Sequence, residues 1–197
     1  TGLQIYDGKI YWLQAAGIGR ILYRMDLDGN NREKVQVLDD FSGTAPSIAI
    51  HRGYVYTMVM KSQVRKGQAY STLEIKQYIL GKEEQEPYTI YSKEYTGELL
   101  YDCRLRGNHM YVMVDNDKTL EMKSYDRQFF SYDMRAQEWK LLWEDTLPWT
   151  TRAYIVDETG ADILEIQLGE DYSIQRVRLD FASGTRTVVG EEYALGD

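Results

Sequence analysis

Few residues in this chain are placed to do chemistry, and most of those have a simpler use. Asp26-Leu27-Asp28-Gly29-Asn30 offers the oxygen ligands of a calcium loop. An EF-hand loop needs its glycine at position six and a Glu at position twelve. Here glycine falls at position four, and a hairpin turn with Asp-Gly at its centre accounts for the segment without metal. Gly17-Ile18-Gly19-Arg20 contains Gly-x-Gly but neither a third glycine nor a strand-helix-strand context, so it reads as a loop and not a phosphate cradle. The two histidines, His51 and His109, sit beside glycine turns and form no local ligand pair, so they read as turn-proximal surface residues. Cys103 is the one cysteine, which removes internal disulfides and Cys-based zinc sites; within Leu100 to Leu105 it reads as a small buried hydrophobe. No metal and no cofactor is expected.

Nucleophilic and carboxylate chemistry are less evenly matched. The chain has no Gly-x-Ser-x-Gly elbow, the mark of hydrolases that pair a strand-turn-helix with a serine nucleophile. A glycosidase needs only two carboxylates brought within about 5 to 10 Å. With 31 Asp and Glu, some pair is always available, so their presence selects nothing. No catalytic residue is assigned. The remaining candidates are aromatic: Tyr70, Tyr125 and Trp149 fall in or beside segments that read as loops, where their faces could stack on sugar rings or anchor a peptide. Each taken singly is also explained by packing between sheets.

The elements that position such residues are strands. Seventeen tyrosines and four tryptophans against three prolines favour a pleated, half-buried surface. A turn followed by an aromatic strand recurs: Asp7-Gly8-Lys9-Ile10-Tyr11-Trp12, Arg52-Gly53-Tyr54-Val55-Tyr56, Arg106-Gly107-Asn108-His109-Met110-Tyr111 and Thr159-Gly160-Ala161-Asp162-Ile163. The glycines at 8, 53, 107 and 160 are spaced by 45, 54 and 53 residues, in or just above the range of propeller blades. After each comes a second strand, a tight turn and a short strand, as in Ile21 to Leu27, Asp28-Gly29-Asn30, then Lys34 to Leu38. With the apolar strand before each glycine turn, every repeat holds four strands in meander order. The expected fold is therefore all-β, a propeller-like array of about four four-stranded antiparallel blades, complete or partial, over residues 1–40, 45–92, 98–145 and 150–191. Met134 to Glu144 also fits a short amphipathic helix, but its place in the repeat predicts a hairpin.

In such a blade the connection between the second and third strands emerges on the same side as the blade-to-blade link. That side gathers residues 14–20, 60–72, 115–126 and 167–171 with the links 39–46, 93–98 and 145–150. Residues 61–70 form a basic loop in this reading, and Tyr70, Tyr125 and Trp149 project near one mouth.

A formal net charge of -8 with no run of like charge argues against nucleic acid as a partner. No stretch approaches the roughly 18 apolar residues of a membrane span, so the chain does not insert directly. The strand pattern starts almost at once, at Leu3-Gln4-Ile5-Tyr6, which suggests a processed or excised piece.

Asp7-Gly8-Lys9-Ile10-Tyr11-Trp12 followed by Leu22-Tyr23-Arg24-Met25-Asp26-Leu27-Asp28-Gly29-Asn30-Asn31 resembles the propeller repeats of the YWTD, or low-density-lipoprotein-receptor-like, type. It is also similar to bacterial propellers with a "lyridldGsn" pattern, often on surface lipoproteins. The Thr-Asp of the receptor motif is replaced, since Leu13-Gln14 follow the aromatic pair. The resemblance implies an extracytoplasmic, secreted or surface-anchored module that binds protein or glycan through its loop face without catalysis. Two other readings stay open: a carbohydrate-active enzyme with Asp or Glu at the mouth, and a structural or sensor domain of a larger membrane-anchored protein. An incomplete array would leave exposed sheet flanks and favour self-association.

Overall fold

The computed structural model describes residues 3–16, 19–38, 48–121, 123–167, 172–190 and 193–195. These contain strands and turns and no helix. The first sheet runs β1 (Leu3–Tyr6), β2 (Lys9–Ala16), β3 (Gly19–Asp26) and β4 (Glu33–Leu38), and the second β5 (Ile48–His51), β6 (Tyr54–Arg65), β7 (Gln68–Ile79) and β8 (Tyr88–Thr96). The third holds β9 (Glu98–Arg106), β10 (His109–Asp117), β11 (Tyr125–Asp133) and β12 (Glu138–Leu147), and the fourth β13 (Thr150–Val156), β14 (Gly160–Gln167), β15 (Tyr172–Asp180) and β16 (Arg186–Val188). Each is an antiparallel meander in chain order. The fourth gains a short fifth strand, β17 (Tyr193–Leu195), paired to β15, which the repeat pattern does not announce. The segment from Met134 is a hairpin joining β11 to β12, as its place in the repeat predicts. The link over 39–46 and residues 17 and 18 lie outside the described residues, as does most of the 167–171 connection.

The turns explain the repeat. Asp7-Gly8, Arg52-Gly53 and Lys66-Gly67 are two-residue loops with both φ values positive, 47° and 69°, 49° and 79°, 51° and 80°. This is the type I′ pattern whose twist matches that of the flanking strands. Gly107-Asn108 closes the third hairpin with a positive φ at Gly107 alone, which fits type II′. The fourth repeat differs. Its turn is made by Asp157, whose Oδ1 accepts from Thr159 N, Thr159 Oγ1 and Gly160 N at 2.7, 2.6 and 2.8 Å. Those donors, the Thr159 hydroxyl first, hold the Asp157 carboxyl well below the usual carboxylate range. Gly160 has ordinary backbone and is needed for space instead: a Cβ there would stand 2.0 Å from the Leu179 carbonyl oxygen.

The chain divides into two compact units, Thr1–Tyr95 and Thr96–Asp197. In the first, Tyr11, Leu13, Leu22 and Leu38 pack against Ile50, Val55 and Tyr78 of the neighbouring sheet. The Gln4 amide spans the same pair, accepting from Ile50 N at 2.6 Å and donating to Ile50 O at 2.8 Å. In the second, Tyr111, Met113 and Phe129 meet Tyr154, Val156, Ala161, Ile163, Val177 and Leu179. Cys103 is buried, as a small hydrophobe in a strand should be. Alternation along each strand selects these residues, and burying each large side chain stabilises the fold by about 1.5–3 kcal/mol.

Replacing Gly160 by Ala is expected to destabilise the protein by about 1–3 kcal/mol through overpacking. Gly8→Ala meets no atom within 4 Å, and is expected to cost about 1 kcal/mol, from backbone strain alone. Urea unfolding of the two variants checks the order.

Candidate functional site

The candidate binding surface lies at the strand ends that carry the second-to-third-strand connections. In the first unit that connection is not a loop. Residues 60–72 continue β6 and β7 as one ladder, from Met60 opposite Leu73 to Arg65 opposite Gln68. The segment reads as a loop in sequence because Lys61 to Gln68 has no apolar face; all eight of these residues are exposed. What holds the ribbon is polar. Arg65 forks onto Glu94, with Nη1 and Nη2 at 3.1 and 2.7 Å, and Gln63 Nε2 donates to the same carboxylate at 3.2 Å. Lys61 Nζ pairs with Glu74 at 2.9 Å. The Arg65 guanidinium stands 5.1 Å from the centre of the Tyr70 ring, whose hydroxyl donates to Gln68 Oε1 at 2.9 Å. Gln63 lies opposite Tyr70 and Arg65 opposite Gln68, so these four share one face of the ribbon, while Val64, 73% exposed, sits on the other.

The second unit places the other two predicted aromatics differently. Tyr125 does not project: it opens β11 opposite Leu147 and is 3% exposed. Burial, with the nearby Asp117 and Asp115 carboxylates, pushes its phenol pKa up. Trp149 is half-buried in the short Pro148-Trp149 link between β12 and β13. Its carbonyl accepts from Arg127 Nη2 at 2.9 Å. With Tyr125 buried and Trp149 half-buried, the three aromatics are not all exposed. In the connection after β10, Asp117 Oδ1 accepts from Thr119 N, Thr119 Oγ1 and Leu120 N at 3.0, 3.1 and 2.9 Å.

Sequence reasoning missed the ion cluster at this end. The side chains of Arg127, Asp115 and Glu165 are all fully buried. Arg127 donates through Nε to Asp115 Oδ1 at 2.6 Å, through Nη2 to Asp115 Oδ2 at 3.3 Å, and through Nη1 to Glu165. Asp115 Oδ2 also accepts from Thr150 Oγ1 at 3.2 Å and Thr151 N at 2.6 Å. Glu165 takes Gln175 Nε2 at 2.8 Å and the guanidinium of Arg186. Two guanidinium groups thus meet two carboxylates. Burial alone would lower the Arg127 pKa, but the Asp115 and Glu165 charges outweigh it and raise the value. Carboxylates so fully engaged by donors act as a joint between the third and fourth sheets rather than as an acid and base awaiting a substrate. Alternation offered the signal: Asp115 follows Tyr111 and Met113 on the core-facing parity, Arg127 precedes Phe129, and Glu165 follows Ala161 and Ile163.

Among the described residues no group of three or more His, Cys, Asp and Glu could hold a metal ion, and no helix is long and apolar enough to cross a membrane.

Arg127→Met should destabilise the protein by about 3–5 kcal/mol, since it leaves the buried Asp115 carboxylate without a cation and Glu165 with Arg186 alone. Arg127→Lys should recover little of the loss, because one ammonium cannot reproduce the fork onto Asp115 and also reach Glu165 and the Trp149 carbonyl. Denaturant unfolding measures both.

No protein-family profile and no curated protein matches the chain. Solved structures do. The chain is similar to the Bacteroides ovatus xyloglucan PUL GH43B, at 9% identity and a TM-score of 0.55, over 96% of this chain and 40% of that one. It is also similar to YjhT, at 11% identity and a TM-score of 0.54, over 95% of this chain and 64% of that one. The chain therefore spans less than two thirds of the length of either. Both neighbours are β-propeller proteins, and at such identity the likeness carries architecture alone: four meander sheets of a β-propeller-type fold.

Proposed function

We propose that the protein is an extracytoplasmic, non-catalytic binding module that engages a protein or a glycan through the β6–β7 ribbon. The observation that carries the reading is the ribbon itself. It is a two-stranded arm with every residue from Lys61 to Gln68 exposed, joined to β8 by the Arg65–Glu94 fork. It offers the Tyr70 ring under a guanidinium on one face and Val64 on the other. An aromatic ring has few torsions to lose on binding, and aromatic and arginine side chains dominate interface energetics. An aromatic ring flanked by hydrogen-bonding Gln63 and Gln68 suits a sugar face or an extended peptide alike. The extracytoplasmic placement rests on the resemblance of residues 7–31 to YWTD-type repeats and to bacterial surface propellers.

A carbohydrate-active enzyme is the second reading, favoured by one observation, the likeness in fold to GH43B. Against it stands the engagement of Asp115 and Glu165, the most deeply buried carboxylates among the described residues, by Arg127 and Arg186.

Screening the protein against immobilised glycans and surface proteins is expected to give a ligand whose affinity falls about tenfold or more in Tyr70→Ala, with no product released. Binding that survives both Tyr70→Ala and Arg65→Ala would remove the ribbon from the site. Glycan turnover abolished by a single Asp or Glu substitution would replace this reading with the second.

A further inference from the structure

At the opposite strand end of the second unit, where the tight turns lie, a cleft of about 350 Å³ opens between the third and fourth sheets. One wall is a cross-strand row of the third sheet, Tyr111 on β10 opposite Ser131 on β11 opposite Lys140 on β12. The other is built by the turns of the fourth sheet and carries Glu158 and Phe181. Phe181 stacks on Tyr111, with ring centres 6.2 Å apart and planes 14° from parallel, and Leu142 adds to the apolar lining. Neither wall is free to drift. Trp143 Nε1 donates to Gly184 O at 3.1 Å and so ties β12 to the β15–β16 turn, while Phe181 N donates to Thr159 O at 2.9 Å and joins the two turns.

The polar groups of this cleft are not occupied with one another. Tyr111 and Ser131 are 4% and 8% exposed, yet neither hydroxyl makes a hydrogen bond to another described residue. Both residues line the cleft, so their hydroxyls are left for whatever enters it. Lys140 and Glu158 carry opposite charges on opposite walls, and among the described residues neither has an ion-pair partner. The Phe181 and Tyr111 rings and Leu142 stand beside about as much polar surface, in a volume near the lower end of ligand pockets, which suits a small molecule with both charged and apolar parts.

We propose that this cleft binds a small zwitterion with an apolar body, of the amino-acid class. Its carboxylate lies at Lys140 with the Ser131 hydroxyl beside it, its ammonium faces Glu158, and its side chain rests on Phe181, Tyr111 and Leu142. The site is separate from the β6–β7 ribbon and does not depend on the role proposed there.

Calorimetric titration of the whole protein with L-phenylalanine tests it. Saturable one-to-one binding is expected. 3-Phenylpropionate, which lacks the ammonium, and phenethylamine, which lacks the carboxylate, should each bind about tenfold or more weakly, as loss of a charge-assisted hydrogen bond requires. Lys140→Gln and Glu158→Gln, both at exposed positions that leave the core intact, should weaken L-phenylalanine by a similar factor. Absence of binding to the unmodified protein would overturn the proposal. So would equal affinity for 3-phenylpropionate, or affinity unchanged in both variants.

Discussion

Leu22, Ile50, Ile163 and Leu179 are at most 2% exposed, and they reach that state only because the inner face of one meander lies on the inner face of the next within its unit. A single four-stranded sheet of short strands has no second layer of its own, so its apolar row needs a neighbouring sheet. The tight turns follow from this requirement. A one-residue slip would carry Tyr11 and Leu13 to the wrong face, and a two-residue loop such as Asp7-Gly8, with both φ values positive, fixes the register that prevents it. Turn chemistry and core packing are therefore one constraint seen at two points of the strand.

The same inward row turns polar where it reaches the link between sheets in the second unit. At that point the chain passing from β12 to β13 brings main-chain groups into the interior, the Trp149 carbonyl and the Thr151 amide among them, and these need partners. Apolar side chains at 115 and 127 would leave them unpaired. Asp115 and Arg127 supply an acceptor and a donor together, and Glu165 brings the fourth sheet onto the same guanidinium. A buried ion pair is a poor source of net stability when weighed against a well-packed apolar substitute. Its use here is directional: it fits one path of the link and one placement of β14 against β11.

What was legible in the sequence was whatever repeats. The glycine turns at 8, 53 and 107, the meander order and the hairpin after Met134 follow from period and turn residues, because those signals are local. Gly160 sits at the right interval for a different reason, the closeness of the Leu179 carbonyl, which spacing cannot distinguish from a turn. The β6–β7 ribbon was hidden because a strand solvated on both faces has no alternation to read, and only Lys66-Gly67 hinted at it. Arg127 was hidden because its partners lie 12 and 38 residues away, although its place among core-facing residues marked it as a charge in need of company. Tyr125 reads as a loop residue only when β11 is started after Asp126, at least two residues late, which puts a 3%-exposed ring in solvent.

The two ends of the second unit end up with opposite chemical characters. At the link end each fully buried charge is matched, guanidinium to carboxylate, and each carboxylate oxygen of Asp115 and Glu165 already accepts from the protein. A ligand arriving there would have to displace bonds at least as good as any it could offer. At the turn end the Tyr111 and Ser131 hydroxyls and the charges of Lys140 and Glu158 face a common space without satisfying one another. Binding free energy comes from groups whose hydrogen-bonding capacity folding has left open, over apolar surface that water covers poorly. By that criterion it is the turn end of this unit, rather than the charged end, whose chemistry is unfinished without a ligand.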